Sequence, residues 1–397
     1  MKVVQINVVC NGSTGKIMCD IAKTANKEEI DSYCFYGRGK ENANVKCIRI
    51  GNNIGVCFHV LLARLGFNGR FSYFATRSLI RKLKKLEPDV IHLHNVHGYY
   101  VNLKLLFNYL KNEYKGKIIW TLHDCWSFTG HCSYFTMSKC KKWQKGCFDC
   151  PQLSCYPKEY FDTSKSEYKL KEKLFTEINN LTIVTPSIWL KKLVKKSFMK
   201  NHNVEVINNG INLEIFKPTY DKSIYSKYNI PESKKIILGV ANIWEERKGL
   251  NDFIKLANII SDDITIVLIG VDDKTKEKLP KNIIAIKRTE NQIELAKLYT
   301  LADVFFNPTY EDNYPTTNLE SIACGTPIVC YNTGGCPEQI LNNHCGYIIK
   351  QGDYKQVIKL IDDNKIKKIS EIFNENLGVE NMKNEYIKLY KDIVRRD

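Results

Sequence analysis

The sequence predicts an α/β protein of two Rossmann-like, doubly wound parallel-sheet domains facing one another across a cleft. Length is the first reason: 397 residues exceed what one ordinary hydrophobic core holds and suit two domains of roughly 150 to 200 residues. Alternation is the second, because runs rich in Val and Ile are separated along the whole chain by segments of helical periodicity, as in parallel sheets covered by helices. Composition is the third. With 44% apolar and 26% charged residues the chain reads as soluble and globular, and no apolar run approaches the roughly 18 residues needed to cross a bilayer.

In order, the expected strands of the first half are Val3–Val9, Ser32–Tyr36, Val90–His94, Ile118–Leu122 and Leu181–Thr185. Those of the second half are Val204–Ile207, Ile236–Val240, Thr265–Ile269, Ile283–Ile286, Val304–Phe306 and Ile328–Cys330. Between them, Leu79, Leu83 and Leu86, or Phe253, Ala257 and Ile260, have the spacing of a helix with one buried face. The apolar run at the N-terminus is too short for a signal peptide, so it is taken as a first buried strand and the chain is placed in the cytoplasm. The run Cys57–Phe67 comes closest to a membrane segment, but His59 and Arg64 interrupt it. Asn209-Gly210 and Pro218 mark a turn and linker. The expected division is therefore residues 1–205 with a cysteine-rich insertion at about 124–156, residues 206–375, and a C-terminal helix at 376–397 packing back toward the first domain.

The balance of 59 basic against 43 acidic residues, formally +16, implies attraction to something anionic: nucleic acid, phospholipid or a phosphorylated substrate. A basic nucleic-acid-binding protein with a zinc module is one reading. Against it, the basic residues spread over both halves and no nucleic-acid motif is present, so no nucleic-acid partner is expected. Fifteen cysteines, an odd number without a secretory signal, make a disulfide scaffold improbable. Their distribution is uneven, with six between Cys125 and Cys155.

In open α/β sheets ligands bind beyond the carboxyl ends of the strands, so the loops there are where chemistry belongs. After the first strand, Asn11-Gly12-Ser13-Thr14-Gly15-Lys16 opens a helix, and its backbone N–H groups would suit a phosphate. Gly12 and Gly15 match neither G-x-G-x-x-G nor a Walker loop, and a turn needing glycine for conformation alone explains them equally. The segment Thr309-Tyr-Glu-Asp-Asn-Tyr-Pro-Thr-Thr-Asn-Leu-Glu320 is more specific. Pro315 suits a first helical residue, so Thr316, Thr317 and Asn318 would turn unpaired N–H groups toward a pyrophosphate. Asp312 and Glu320 flank that cradle, and ionised carboxylates accept hydrogen bonds from the vicinal hydroxyls of ribose or hexose. Acidic residues favoured by a helix dipole are the plain alternative.

The spacing of Asp312 and Glu320, continuing into Ala323-Cys324-Gly325-Thr326-Pro327-Ile328-Val329 and Thr333-Gly334-Gly335-Cys336-Pro337-Glu338, resembles the acidic motif of family 4 retaining glycosyltransferases, which have the GT-B fold. The resemblance covers nearly the whole chain. Asn209-Gly210-Ile211-Asn212 with Phe216 and Pro218 resembles the family's interdomain linker, and Thr185-Pro186-Ser187 the end of its N-terminal domain. Leu238-Gly239-Val240-Ala241-Asn242 to Arg247-Lys248-Gly249 resembles its phosphate-binding strand and loop. The chain departs from the pattern twice. Asp312, with Glu311 adjacent, stands where the family usually has a glutamate, which leaves open which of the two meets the donor sugar. Asn242 stands where it usually has an arginine, so Lys248, with Arg247 compensating, is expected to carry the diphosphate charge.

The resemblance implies transfer of a sugar from a nucleotide diphosphate sugar, UDP- or GDP-linked, to a hydroxyl with retention at the anomeric carbon and no required catalytic metal. The first domain would then bind the acceptor and the second the nucleotide sugar. Lys248, Arg247 and the helix N-terminus at Thr316 would stabilise the leaving diphosphate. His123, in Thr121-Leu-His-Asp124, matches a histidine that the family places near the donor sugar. His123, Lys248 and Asp312 are thus the expected catalytic residues. Gly12, Gly15, Arg247, Lys248, Glu311, Asp312, Thr316, Thr317, Asn318 and Glu320 are the expected donor-binding residues. His92, His94 and His97 resemble a zinc cluster only superficially and read as strand-end and loop residues. Capsule, exopolysaccharide or lipopolysaccharide biosynthesis with a glycan or lipid-linked acceptor is the setting the resemblance implies. A GT-B-fold epimerase or phosphorylase would share the nucleotide or phosphate site.

Two further expectations rest on local pattern. In Trp189–Lys200 the residues Leu190, Leu193, Val194 and Phe198 fall on one helical face and Lys191, Lys192, Lys195 and Lys196 largely on another, which suits peripheral contact with an anionic membrane. A solvated face over a buried stripe gives the same pattern. In the insertion, Cys132, Cys140, Cys147 and Cys150 would supply four thiolates for a structural zinc, with reduced, unligated cysteines, disulfides, an iron–sulfur cluster or His131 as an alternative ligand as the other readings. Gly130, Gly146 and Lys139, Lys141, Lys142 and Lys145 around them make a poor hydrophobic core, so a cross-link would help the segment hold a shape.

Overall fold

The computed structural model describes residues 1–340, 345–369 and 377–395. It forms two compact units, Met1–Asn208 together with the C-terminal residues from Met382, and Asn209–Asn381. The first contains β1 (Lys2–Asn7), β2 (Asp31–Tyr36), β3 (Lys46–Arg49), β4 (Val90–Leu93), β5 (Lys117–Thr121), β6 (Leu181–Thr185) and β7 (Asn203–Val206), all parallel, in the order β3-β2-β1-β4-β5-β6-β7. The second contains β8 (Lys235–Val240), β9 (Ile264–Ile269), β10 (Ile283–Ile286), β11 (Val304–Asn307), β12 (Ile328–Tyr331) and β13 (Gly346–Ile349), also parallel, in the order β10-β9-β8-β11-β12-β13. Apolar residues occupy both faces of the central strands, as parallel sheets sandwiched between helices require: every residue of β4, β9, β11 and β12 is buried.

Strand order reverses between β1 and β4 in one sheet and between β8 and β11 in the other. The loops leaving these four strands are therefore splayed apart at their carboxyl ends, where a doubly wound sheet leaves room for a ligand. They hold Gly12, the histidines 94 and 97, the segment 242–249 and the acidic loop 308–315.

The expected strand Val204–Ile207 belongs to the first sheet and not the second. As β7 it pairs with β6 in parallel, Val204 beside Ile183. Nothing local separates the last strand of one sheet from the first of the next. Strands β3 and β13, which the sequence pattern does not suggest, have four residues each; one carries Lys46 and Arg49 at its ends and the other begins with Gly346.

The lysine-rich segment after Ser187 forms a helix only over Ile188–Val194. Leu190 and Val194 are fully buried in the core of the first unit, with Trp189, Leu193 and Phe198 packed against it. That apolar face is already covered, so it has nothing to offer a bilayer. The insertion is also better packed than its glycines and lysines suggest. Phe135 stacks on Trp143 with ring centres 4.7 Å apart, Phe128 meets Trp143 at 5.4 Å, and Lys171 is buried beneath them, donating to the Trp126 and Thr129 carbonyls at 2.8 and 3.0 Å.

The C-terminal helix Val379–Arg395 buries Met382, Tyr386, Tyr390 and Ile393, one stripe at helical spacing. Its two tyrosines reach β4 and β5: Tyr390 Oη lies 2.6 Å from His92 Nδ1 and Tyr386 Oη 2.9 Å from Thr121 Oγ1. Among the described residues no helix is long and apolar enough to cross a membrane.

Candidate active site

In the second unit, β11 runs into Pro308–Pro315 and then into the helix Thr316–Ala323. Pro315 caps this helix from outside with extended backbone instead of opening it. Thr316 and Thr317 are thus its first two residues, half-buried, and their N–H groups have no intrahelical carbonyl to bind. Asn318 is differently placed. Its side chain is fully buried, accepting from Asn307 Nδ2 at 2.7 Å and donating to Gln339 Oε1 at 2.9 Å, while Gln339 Nε2 donates to the Pro315 carbonyl. It braces the loop and does not present itself to a ligand.

Lys248 Nζ lies 2.5 Å from Asp312 Oδ2, with both side chains mostly buried. The neighbouring Arg247 bridges Glu245 (Nε to Oε2, 2.8 Å) and the Glu311 carbonyl (Nη1, 3.3 Å). The Arg247 carbonyl in turn accepts from the Tyr310 N–H at 2.7 Å and from Thr309 Oγ1 at 3.2 Å, so the two loops are stitched together. Glu311 is 4% exposed whereas Asp312 is half-buried, which distinguishes the two neighbouring acids. Glu320, one turn further along the helix, accepts from the Tyr299 hydroxyl at 3.2 Å.

Glycine makes two close approaches possible here. Gly249 has φ +76°, and a Cβ on it would lie 2.3 Å from the Pro308 carbonyl oxygen. Gly334 has φ +56°, and a Cβ there would lie 1.7 Å from the Asp312 carbonyl oxygen. Behind them Asp252 is buried and accepts from both Tyr310 and Tyr331 hydroxyls at 2.7 Å. Asp252, Asn307 and Gln339 have no motif of their own; their role shows only once the loops are folded against one another.

In the first unit, Gly12 and Gly15 open the helix Gly12–Lys27, and Asn7 Nδ2 reaches across that turn to the Val9 carbonyl and Thr14 Oγ1. His123 follows β5 and lies beside β4: His94 Nδ1 and His123 Nε2 are 3.2 Å apart, and His94 Nε2 is 3.1 Å from Gln5 Oε1. Gln5 donates its amide to the Met18 carbonyl, so its oxygen faces His94. His94 must then carry its proton on Nε2 and accept at Nδ1, which assigns the His123 proton to Nε2 and leaves Nδ1 as the acceptor of that ring. His97 instead meets Asp124 at 3.1 Å, and His92 lies between Tyr390 and Thr121. These partners fit ordinary buried histidines and not metal ligands.

Burial pushes the pKa of His123 down to about 4 and that of His92 to about 3, against an ordinary 6.5, and lowers His94 well below that value. A histidine whose pKa falls on folding adds stability above its unfolded pKa. That stability is lost as pH drops from about 6.5 toward 4. The thermal midpoint should therefore fall steadily between pH 7 and 4.5, less steeply in a His92→Gln, His94→Gln variant. Equal pH dependence in both proteins would contradict this.

The insertion places Cys132, Cys140, Cys147 and Cys150 around one small cavity, together with His131 and Trp143. No three of these four sulfurs come within 4.8 Å of one another. Cys147 accepts instead from the Gly130 N–H at 3.1 Å, and Cys132 contacts Cys150.

Two Rossmann-like parallel sheets, with a cation–carboxylate pair beside a helix N-terminus at the switch point of the second, are the arrangement of the GT-B class. The model described as Glycosyltransferase Family 4 matches residues 16–215, half of the chain, and that described as Glycosyl transferases group 1 matches 221–375. The chain belongs to glycosyltransferase family 4. It is similar to the putative colanic acid biosynthesis glycosyl transferase WcaC of Escherichia coli, 22% identical over 99% of this chain and 100% of that protein. It is also similar to the N,N'-diacetylbacillosaminyl-diphospho-undecaprenol alpha-1,3-N-acetylgalactosaminyltransferase of Campylobacter jejuni, 26% identical over 50% of this chain and 56% of that one. Among solved structures, sucrose-phosphate synthase of Thermosynechococcus elongatus superposes with a TM-score of 0.72 at 13% identity, covering 100% of both chains. Anabaena Alr3699/HepE in complex with UDP superposes at 0.68 and 14%, over 99% of this chain and 100% of that one. At such identities the structures speak for the fold alone.

Proposed function

We propose that the chain moves a sugar, with retention, from a UDP- or GDP-linked donor to a hydroxyl of a glycan or lipid-linked acceptor in building a bacterial surface polysaccharide. The observation that carries the donor half is the Lys248–Asp312 pair beside the N-terminus of Thr316–Ala323. Without a ligand the two side chains neutralise each other. A diphosphate arriving at the Thr316 and Thr317 N–H groups would draw Lys248 to itself and release the Asp312 carboxylate to the hydroxyls of the donor sugar. Charge developing on the departing diphosphate would then be met by Lys248 and the helix N-terminus, with Arg247 adjacent, and no metal is needed for that step. Glu320 would hold the ribose. Asp312, half-buried, rather than the buried Glu311 would be the acid to meet the sugar. His123, neutral at pH 7, would serve as a hydrogen-bond partner and not as a cation. Thermal stabilisation across a panel of uridine and guanosine diphosphate sugars tests this: at least one should raise the midpoint in wild type, and Asp312→Asn should reduce the effect of the sugar-bearing form more than that of the free nucleotide. Equal response to all nucleotides in both proteins would sink it. The names of the relatives support the polysaccharide setting.

Peripheral contact with an anionic membrane is retained in the proposal, through a different element. Helix Asn53–Arg64 buries only His59 and Ala63, while Ile54, Phe58, Leu61, Leu65, Phe67 and Phe74 on it and after it are exposed. Between Glu41 and Glu87 there is no acid and there are nine lysines and arginines. Exposed apolar groups in a purely cationic segment suit an anionic leaflet. Sedimentation with anionic vesicles should fall in Phe58→Ser, Phe74→Ser and be unchanged by Leu193→Ser. The reverse ranking would remove this surface.

A further inference from the structure

Four cysteines outside the insertion converge at the opposite edge of the first sheet. Cys10 follows β1, Cys19 lies in the helix Gly12–Lys27, Cys34 in β2 and Cys47 in β3. Strands β2 and β3 are paired in parallel with Cys34 beside Cys47, so both side chains leave the sheet on one face. The helix brings Cys19 down onto that face, where its thiol meets those of Cys10 and Cys34. The Cys10 and Cys47 sulfurs are 3.3 Å apart, and those of Cys10, Cys19 and Cys47 all lie within 4.8 Å of one another. Cys10, Cys19 and Cys34 are buried and Cys47 half-buried, among Met18, Ala22, Tyr36 and Val45.

Small buried cysteines often serve as plain apolar filling. Here, however, residues 37 positions apart in sequence bring their sulfurs closer than packing alone requires. We propose that Cys10, Cys19 and Cys47 bind a structural zinc ion, with Cys34 as the fourth ligand. Zinc holds four thiolates at about 2.3 Å in a tetrahedron, which sets neighbouring sulfurs about 3.8 Å apart. The Cys10–Cys47 separation of 3.3 Å lies just below that value and no pair among Cys10, Cys19 and Cys47 exceeds 4.8 Å, so these three need shifts of about an ångström, while Cys34, outside that limit, must move further to join them. A disulfide would need about 2.05 Å. Binding replaces four S–H bonds by four S–Zn bonds and releases four protons to solvent, leaving two excess negative charges on the cluster. Asn42 and Lys23, the polar neighbours of Cys19, face that charge.

The consequence is mechanical. Strand β3 has four residues at the sheet edge, and zinc would tie it to β2, to the helix and to the residue two before Gly12. The site would fix the glycine turn without touching substrate, so its test reads metal and not transfer.

Protein purified without a metal-affinity tag is analysed for zinc as wild type, as Cys147→Ser, Cys150→Ser, and as Cys10→Ala, Cys47→Val, the last pair chosen to preserve the packing. Zinc should persist in the insertion variant at about one per chain and fall by about one in the Cys10, Cys47 variant. Cobalt(II) added to chelator-treated insertion variant should show thiolate charge-transfer and tetrahedral d–d bands that a variant carrying all four substitutions lacks. This second readout stands even where one variant binds metal poorly after purification. Zinc and cobalt binding unaffected by Cys10→Ala, Cys47→Val would overturn the proposal, as would a Cys10–Cys47 disulfide in peptide maps or iron in place of zinc.

Discussion

Lys248→Ala is expected to lower turnover about 10²- to 10³-fold, the usual cost of removing one preorganised group that meets charge developing in the transition state. Its ammonium is the cation that the structure sets directly against Asp312, and Arg247, held by Glu245 and the Glu311 carbonyl, is already engaged. The variant should fold, because the Lys248 side chain is partly exposed and its backbone N–H bonds to the Glu245 carbonyl whatever the side chain. Loss of the lysine also leaves Asp312 without its partner, which would itself perturb the loop. Two substitutions that leave Asp312 in place separate these effects: if charge on the leaving group is what matters, Lys248→Arg restores part of the turnover, whereas Lys248→Gln, which can still donate a hydrogen bond to Asp312 but carries no charge, does not. Glu320→Ala should act differently, weakening nucleotide binding with a smaller change in kcat. Wild-type kinetics in both Lys248→Ala and Glu320→Ala would end the assignment.

What the sequence made legible is what repeats locally. The alternation of Val- and Ile-rich runs with helical spacing marks most of the buried strands, because a strand covered on both faces must be apolar throughout. The interval between Asp312 and Glu320 marks a loop running into a helix, because carboxylates, a proline and short polar residues in that order have few other uses. Which sheet a strand joins is a different kind of fact. Val204 sits beside Ile183 through a crossover that leaves no trace in its neighbours. The same limit explains Asn318, expected to offer an unpaired N–H to a pyrophosphate: its N–H lies 3.3 Å from the Pro315 carbonyl, and its side chain is held by Asn307 and Gln339, distant in sequence. It also explains the lysine-rich helix after Ser187: amphipathicity shows that one face is apolar and cannot say whether protein or lipid covers it. The sulfur cluster at Cys10, Cys19, Cys34 and Cys47 was invisible for this reason, since no short spacing links its members.

Of the two glycines that press against the acidic loop, Gly334 and Gly249, Gly334→Ala should be the more damaging. A Cβ at this position would sit 1.7 Å from the Asp312 carbonyl oxygen and 2.9 Å from its carbonyl carbon, an overlap no rotamer can relieve because the methyl has none. Something must move, and the turn cannot easily retreat. Thr333 Oγ1 accepts from Gln351 Nε2 at 3.0 Å, and the Cys336 N–H bonds to the Thr333 carbonyl at 3.0 Å. Asp312 is therefore expected to shift, carrying its carboxylate away from Lys248. A displacement of about 1 Å in a positioning group can cost about 10²-fold in rate, so kcat/KM should fall by that order, with about 1 to 3 kcal/mol of stability lost to overpacking. The left-handed backbone contributes to any such loss, and Gly352→Ala measures that part alone: it too has positive φ, at +83°, but the nearest atom to a Cβ there is the Tyr310 hydroxyl at 3.7 Å. Gly352→Ala should lower the thermal midpoint slightly and leave kcat/KM near wild type. If the two alanine variants lose activity equally, backbone strain and not the contact with Asp312 is responsible, and the close approach of the two loops has no part in placing the acid.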